Sequence, residues 1–447
     1  MNAAKFACSL LLSLLTVQLP ACSFNMNVES MLSPPRLTAE QEQIYQALQR
    51  SVGSQQISLK YPKSGEHLSA FTVADLDDDG SDEAIVFYES SRTVADENPL
   101  RICLLGQQNG EWKSIDEYHA NGAEVDRIDI TRLGAGSRMN LVISYSMVDG
   151  ADHAAQVCYY NGDALVFDTP VPYTVMTMRD FDQDGTTELF VANAAKQNLA
   201  AAALIYILGE EGTLRLQSQV DLPESFTDIP RTIYCELPSE KGTDKVPGIC
   251  MDCLSGPKTV QTIVLSYEEK RLKQFYTDSA DSQKSERDRL YQTMDVDGDG
   301  EAEIPVNKNF YGYNDEDISP VLLTNWFVCR GGLLMREHAS YYAAQDGFIF
   351  LLPKRWEEQV TAVPEDGEIV FYVIDPFRAN PDRTPVLLKP LLRLAVVTDP
   401  ITADAMQTDG YLLLRQQNGR YYLGKTEQGS KTLALSDSEL LFAMQYV

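Results

Sequence analysis

Phe71-Thr-Val-Ala-Asp75-Leu-Asp77-Asp-Asp79-Gly80-Ser-Asp-Glu83-Ala-Ile-Val-Phe87 sets an acidic turn closed by glycine between two apolar runs. The same arrangement returns at Val175 to Val191, around Asp180, Asp182, Asp184, Gly185 and Glu188, and at Tyr291 to Val306, around Asp295, Asp297, Asp299, Gly300 and Glu303. Each copy reads strand, turn, strand. Aspartates at positions 1, 3 and 5 of a tight loop turn three carboxylates inward, and glycine at position 6 permits the turn. A backbone carbonyl at position 7 (Ser81, Thr186 or Glu301) and the acid at position 9 complete an oxygen shell. A hard cation takes about six to eight oxygens at about 2.3 to 2.6 Å, so the expectation is calcium, about three ions in all. The other reading is a set of solvated turns, because Asp and Gly also populate empty surface loops.

Working outward from these loops, the chain has a period of 50-odd residues. Two worn copies lie between the acidic ones: Val125 to Ser144, with Asp129 at the expected first loop position, and Thr232 to Cys253 around Glu236. Thr131 and Leu133 follow Asp129, and Pro238 and Lys241 occupy the other turn, so these two copies are expected to fold without metal. Every period also holds a second hairpin. Leu100 to Leu105 pairs with Trp112 to Ile115, Ala155 to Tyr160 with Ala164 to Phe167 across Asn161-Gly162, Ala203 to Leu208 with Leu214 to Gln217, and Thr262 to Tyr267 with Leu272 to Tyr276. Four short strands per period is the pattern of a propeller blade. The expected fold is therefore mainly β: a β-propeller or propeller-like array of about five four-stranded blades over residues 66–340. The chain ends are expected to add an N-terminal helix, a C-terminal α+β domain and a possible sixth sheet.

The Asp-rich turns resemble the calcium loops of integrin-type FG-GAP or VCBS repeats, whose pattern is D-x-D-x-D-G-x-x-[DE]. Residues 347–356, Gly347-Phe-Ile-Phe-Leu-Leu-Pro353-Lys-Arg-Trp356, resemble the opening of a carboxy-terminal module in FG-GAP-containing lipoproteins of a Firmicute group. That resemblance covers nearly the whole chain and implies a calcium-binding propeller, but it brings no activity and no catalytic residue with it. Trp356 reads as core.

The ends of the chain carry other signals. Lys5 precedes a mostly apolar run from Phe6 to Leu19, too short for a bilayer span and of the form of a secretory signal. It ends in Leu19-Pro20-Ala21-Cys22, which resembles a lipobox and makes Cys22 the expected lipidated residue. Signal and lipobox fill residues 1–22, with an ordinary cleaved signal or a buried helix as the alternatives. Residues 23–65 hold a Ser33-Pro34-Pro35 tether and a helix capped by Thr38 with Gln41 as the return partner. Residues 341–447 read as the α+β unit. The six cysteines beyond Cys22 permit disulfides, but Cys250 and Cys253 lie in an apolar run and read as buried thiols.

Composition narrows the function. There are 37 Lys plus Arg against 65 Asp plus Glu, a formal charge of −28, so nucleic acid is excluded as a partner. The 4 His stand apart, and Walker, Gly-x-Ser-x-Gly and His-Glu-x-x-His motifs are absent from the sequence. Arg287-Asp-Arg289 and Phe310-Tyr311-Gly-Tyr313-Asn-Asp315-Glu-Asp317 read either as a sugar- or peptide-binding surface or as solvated loops. Two functions follow. The first is a cell-surface-anchored, calcium-binding, non-catalytic binding or scaffold lipoprotein, held to the membrane by its lipid and facing a surface protein or glycan. The alternative is an extracytoplasmic polysaccharide hydrolase or lyase with its site in the propeller channel or at the domain junction, which requires paired carboxylates about 5 to 10 Å apart. The anchor is testable on its own: Cys22→Ala is expected to move the protein out of the membrane fraction, and unchanged fractionation with no lipid mass on the amino-terminal peptide would refute it.

Overall fold

The computed structural model describes residues 37–90, 99–134, 136, 138–147, 152–209, 211–239, 245–279, 283–314 and 319–447. Cys22 with its signal, the Ser33-Pro34-Pro35 tether and Asp315 to Asp317 lie outside these residues. Among the described residues, no helix is long and apolar enough to cross a membrane. Helix α1 (Ala39–Val52) opens with the expected capping box: Gln41 N donates to Thr38 Oγ1 and Thr38 N to Gln41 Oε1, both at 3.1 Å. It ends at Gly53, whose φ of 68° favours glycine.

Six antiparallel sheets follow. The first orders Ile57–Leu59, Glu83–Ser90, Leu100–Gln108 and Glu111–His119, with Phe71–Ala74 also on Glu83–Ser90. The second runs Glu124–Thr131, Asn140–Ser146, His153–Tyr160, with Leu165–Phe167 and Val171–Tyr173 sharing the last edge. The third is a four-strand meander, Val175–Arg179, Glu188–Asn193, Ala202–Leu208 and Leu214–Asp221. The fourth repeats that meander with Arg231–Pro238, Lys245–Leu254, Thr259–Glu268 and Arg271–Tyr276, and adds Arg287–Asp288. The fifth joins Ile304–Asn309, Leu322–Arg330, Leu333–Ala343 and Phe348–Leu351, then takes Met444–Tyr446 as its last strand. The boundary expected at residue 340 thus falls inside Leu333–Ala343. The sixth sheet orders Val360–Glu365, Glu368–Ala379, Pro385–Val397, Arg420–Thr426 and Leu412–Gln417, and comes from the interior of the C-terminal region rather than from the chain ends.

The strands are apolar on both faces because each sheet is sandwiched. Phe87, Ile102 and Leu104 of the first sheet meet Ile128, Ile143 and Tyr145 of the second. The opposite face of the second, Val142 and Val157, meets Leu189 and Val191 of the third. Phe190 and Ile205 continue the series onto Ile249 and Met251, Val264 and Tyr276 onto Ile304 and Phe327, and Phe348 and Phe350 onto Phe371 and Leu392. Trp356 lies fully buried in that last core, its Nε1 donating to the Leu433 carbonyl at 2.7 Å.

Both ends of the series are covered. Ile44, Ala47, Leu48 and Val52 of α1 pack on Val86, Tyr88 and Leu105 at the outer face of the first sheet, while Glu42, Gln46 and Gln49 stay exposed. Helix α2 (Pro400–Thr408) seats Ala403 on the outer face of the sixth sheet, while α3 (Asp437–Ala443) buries Leu440 in the core between the fifth and sixth sheets. The six described cysteines are free thiols, five of them buried, and Cys250 and Cys253 sit within a strand as expected. Since Leu48 is wholly buried between helix and sheet, Leu48→Ala is expected to cost about 2 to 5 kcal/mol in urea unfolding. A cost near zero would show that the helix does not seal that face.

Candidate metal centres

The three acidic loops are built to one hydrogen-bond plan. The position-1 aspartate accepts two or more backbone N–H groups across its turn: Asp75 from Asp79 and Gly80 at 3.1 and 2.9 Å, and Asp180 from Asp184 and Gly185 at the same distances. Asp295 accepts from Gly298, Asp299 and Gly300 at 2.6, 3.2 and 3.0 Å. The position-5 aspartate accepts from residue 7 at 2.8 Å in every loop, Asp79 from Ser81, Asp184 from Thr186 and Asp299 from Glu301. The chain is left-handed twice per loop, at position 6 (Gly80, Gly185, Gly300) and at position 4, where Asp78, Gln183 and Gly298 have φ of 62°, 58° and 83°. Gly298 was the only sequence hint of that second reversal.

The position-9 glutamate sits beneath the loop. Glu83, Glu188 and Glu303 are buried, and each accepts the N–H of the apolar residue at position 2, Leu76 at 3.0 Å, Phe181 at 2.9 Å and Val296 at 2.7 Å. Leu76, Phe181 and Val296 are themselves core, so the loops are pinned to the fold at their second residue. In the first two loops carboxylate oxygens of positions 1, 3 and 9 (Asp75, Asp77, Glu83; Asp180, Asp182, Glu188) lie within 4.8 Å of one another, and in the third those of Asp295, Asp297 and Asp299 do so. Among the described residues, the buried Asp77 Oδ1 and Glu303 Oε1 have no hydrogen-bond partner. Converging carboxylates with orphaned buried oxygens fit a cation, which would satisfy both the charge and the lone pairs.

Burial raises the Glu83 and Glu188 carboxyls to about 7 and Glu303 to about 8, the loop aspartates adding to the rise and the position-2 N–H opposing it. Asp77 is raised too, by burial and by Asp79. The three glutamates hold a proton where an acid of ordinary surroundings has lost it, the behaviour of a buried carboxyl with like charges close by.

Each loop stands at a seam between sheets, and basic residues reach it from there. Arg132 of the second sheet's first turn grips Asp78 with two bonds of 2.9 Å. Lys270, from the fourth sheet's last turn, donates to Asp184 of the third sheet at 2.6 Å. At the third loop Lys245 of the fourth sheet approaches Glu301 at 3.7 Å, and within the fifth sheet Arg330 pairs with the same carboxylate and His338 Nε2 lies 2.9 Å from Asp297 Oδ2. The Glu301 side chain is therefore engaged away from the loop, leaving its carbonyl for the position-7 role. None of these partners was foreseen from the sequence, where Arg132 and Asp78 stand 54 residues apart and Lys270 and Asp184 stand 86 apart.

Three expectations change. Asp129 is not at the head of a loop: it lies inside strand Glu124–Thr131 and is held by Arg127 at 2.6 Å, because without further acids the strand runs on. Glu236 likewise lies in strand Arg231–Pro238, paired to Lys245 at 3.2 Å. The aromatics near residue 310 are no open surface, since Phe310 is fully buried and Tyr311 and Tyr313 pack on the core between the fifth and sixth sheets.

No family model matches the chain, and no curated protein matches it. Among solved structures it is similar to a hypothetical selenium-binding protein from Sulfolobus tokodaii at 10% identity and a TM-score of 0.25, over 48% of this chain and 55% of that one. The chain thus spans little more than half of that protein, and the likeness carries no argument.

The raised glutamates give a signed pH dependence. A carboxyl whose folded value exceeds its ordinary 4.5 favours the folded state while protonated, so that stability is lost as pH rises from 4.5 through 7 to 8. In EDTA the melting midpoint is expected to fall between pH 5.5 and pH 8, and to fall less in the Glu83→Gln, Glu188→Gln, Glu303→Gln triple variant. Identical slopes for the two proteins would contradict this.

Proposed function

We propose that this protein is a calcium-stabilised, non-catalytic binding or scaffold lipoprotein of the cell surface, built as a propeller-like array of FG-GAP-type blades. One observation carries the reading: three loops that share the bonds at positions 1, 5 and 9 stand in the first, third and fifth sheets, each at a seam with a neighbouring sheet. A cation there would neutralise the acids and tie each loop down where sheets meet. Calcium suits an all-oxygen donor set with a carbonyl at position 7. The sheet-to-sheet stacking supports the blade reading, and α1, with its polar face in solvent, favours an array capped at its ends over a closed ring. Asp252, the carboxylate in a pocket of about 430 Å³ between the fourth and fifth sheets, is locked to Arg287 at 2.7 Å, which supports a binding rather than a hydrolytic role. The apolar run before Cys22 supports a position outside the membrane on a lipid tether.

Melting in EDTA and in several millimolar calcium tests the proposal. A cation that binds only the folded loops adds RT ln(1 + [L]/Kd), about 2.7 kcal/mol per site at a hundredfold excess over Kd. Asp77→Ala, Asp182→Ala and Asp297→Ala are each expected to remove about one of three ions by elemental analysis, and Asp129→Asn none. Equal midpoints in the two buffers, with no bound calcium, would overturn it.

A further inference from the structure

Three arginines meet where the fourth and fifth sheets join, and they are held in two different ways. Arg287 is structural. Its side chain is 1% exposed and all five of its N–H donors are taken: Nε by the Tyr291 carbonyl, Nη1 by Thr262 Oγ1 and the Ser285 carbonyl, Nη2 by Asp252 and Thr293 Oγ1, all within 2.7 to 2.8 Å. Asp252 in turn accepts from Thr262 and Thr293, so this buried pair is fully satisfied. Arg231 rests on that unit. Its Nε donates to the Thr293 carbonyl at 2.7 Å and its Nη1 to Gln292 Oε1 at 3.0 Å, both neutral acceptors, which leaves three donors and the whole charge uncompensated. Arg289 is exposed, and its guanidinium has no hydrogen bond or ion pair among the described residues. Both line the pocket of about 430 Å³, together with Val260, Leu290, Gln292, Tyr342, the Arg287-paired Asp252 and the last residue, Val447.

We infer that this pocket binds a small organic acid through its carboxylate, with Arg231 and Arg289 as the anion clamp and the apolar wall taking the body of the ligand. In a chain of net charge −28, two guanidinium groups that make no ion pair among the described residues and share one cavity are unusual, since the field of the protein favours pairing them, and the one buried acid beside them, Asp252, is taken by Arg287. Arg presents a planar fork matched to a carboxylate, and the Thr293 and Gln292 bonds pre-set the Arg231 fork before a ligand arrives. A single negative charge fits better than two, because Asp252 is already neutralised by Arg287 and the surrounding field is acidic. Val260, Leu290 and Tyr342 fit a ring or aliphatic body rather than a bare ion. The size suits a hexuronic acid or a compact aromatic acid. Arg231 begins the strand whose sixth residue, Glu236, meets Gly300 of the third loop, five strand steps or roughly 17 Å away, and Thr293, which holds Arg231, stands two residues before Asp295 of that loop.

This inference goes beyond the scaffold reading and does not depend on the metal sites, so titrations in EDTA and in calcium separate the two. Calorimetric titration of the full chain with methyl glucuronide and with benzoate, against methyl glucoside and glucose 6-phosphate, tests it. At least one carboxylate is expected to bind with a millimolar or tighter Kd, the neutral glucoside not at all, and added salt is expected to weaken binding. Arg289→Gln, at an exposed side chain, is expected to weaken it about tenfold with an unchanged melting midpoint; Arg231→Gln is expected to abolish it. Silence of both carboxylates, equal binding of the neutral glucoside, tighter binding of the phosphate ester, or full affinity in Arg289→Gln would each overturn the assignment.

Discussion

A sheet that is apolar on both faces cannot stop at water, and the whole molecule follows from that constraint. Each of the first five sheets hands its second face to the next: Ile143 looks back to the first sheet while its strand neighbour Val142 looks forward to the third. A fully buried Val, Leu, Ile or Phe contributes about 1.5 to 3 kcal/mol, so one uncovered sheet face would forfeit more than the net stability of an ordinary domain. The series therefore has to end on elements with one polar side. Helix α1 does this at one end with four buried residues and a glutamine-rich outer face, and α2 does it at the other with Ala403.

The acidic loops are the polar counterpart of that packing. Their tips crowd carboxylates in solvent, yet residue 2 of each is a core side chain and residue 9 is a buried acid. The chain therefore cannot relax the crowding by moving the loop away. What relief the protein supplies comes from hydrogen bonds to its own amides and from cations of neighbouring elements, and the relief is incomplete, as the orphaned oxygens of Asp77 and Glu303 and the proton-retaining glutamates show. A strained electrostatic arrangement maintained by apolar packing is a pattern associated with a bound ion.

Much of this was legible in the sequence because it is local. The acidic turns, the Asn161-Gly162 hairpin, the Thr38 cap and the period itself depend on residues within a few positions of one another, where backbone preference and alternation leave a visible trace. What stayed hidden depends on distant partners. Asp129 is the exception, because Arg127, which takes its carboxylate, stands only two residues away in the same strand. Nothing near Phe310 announces the sixth sheet that buries it. The cations at the loops come from turns dozens of residues away, and the left-handed residue at position 4 is masked by Asp78 and Gln183, which adopt it without being glycine. The saturated Arg287 and the unsaturated Arg231 and Arg289 look alike in a sequence, since only the count of acceptors around each guanidinium separates them.

The last strand, Met444–Tyr446, has a bearing on the order in which the chain acquires its shape. The first four sheets are built from strands close in sequence, the widest pairing among the described residues being Ile57 with Ser90, so each can form as soon as its own residues are available. The fifth cannot. Phe348–Leu351 waits for a partner more than 90 residues further on, with the entire sixth sheet threaded between them. Until that partner arrives, Phe348 to Leu351 present an unpaired apolar edge, the kind of surface on which growing chains associate with one another. The sixth sheet thus behaves as an insertion within the fifth, and the two are bound to mature together.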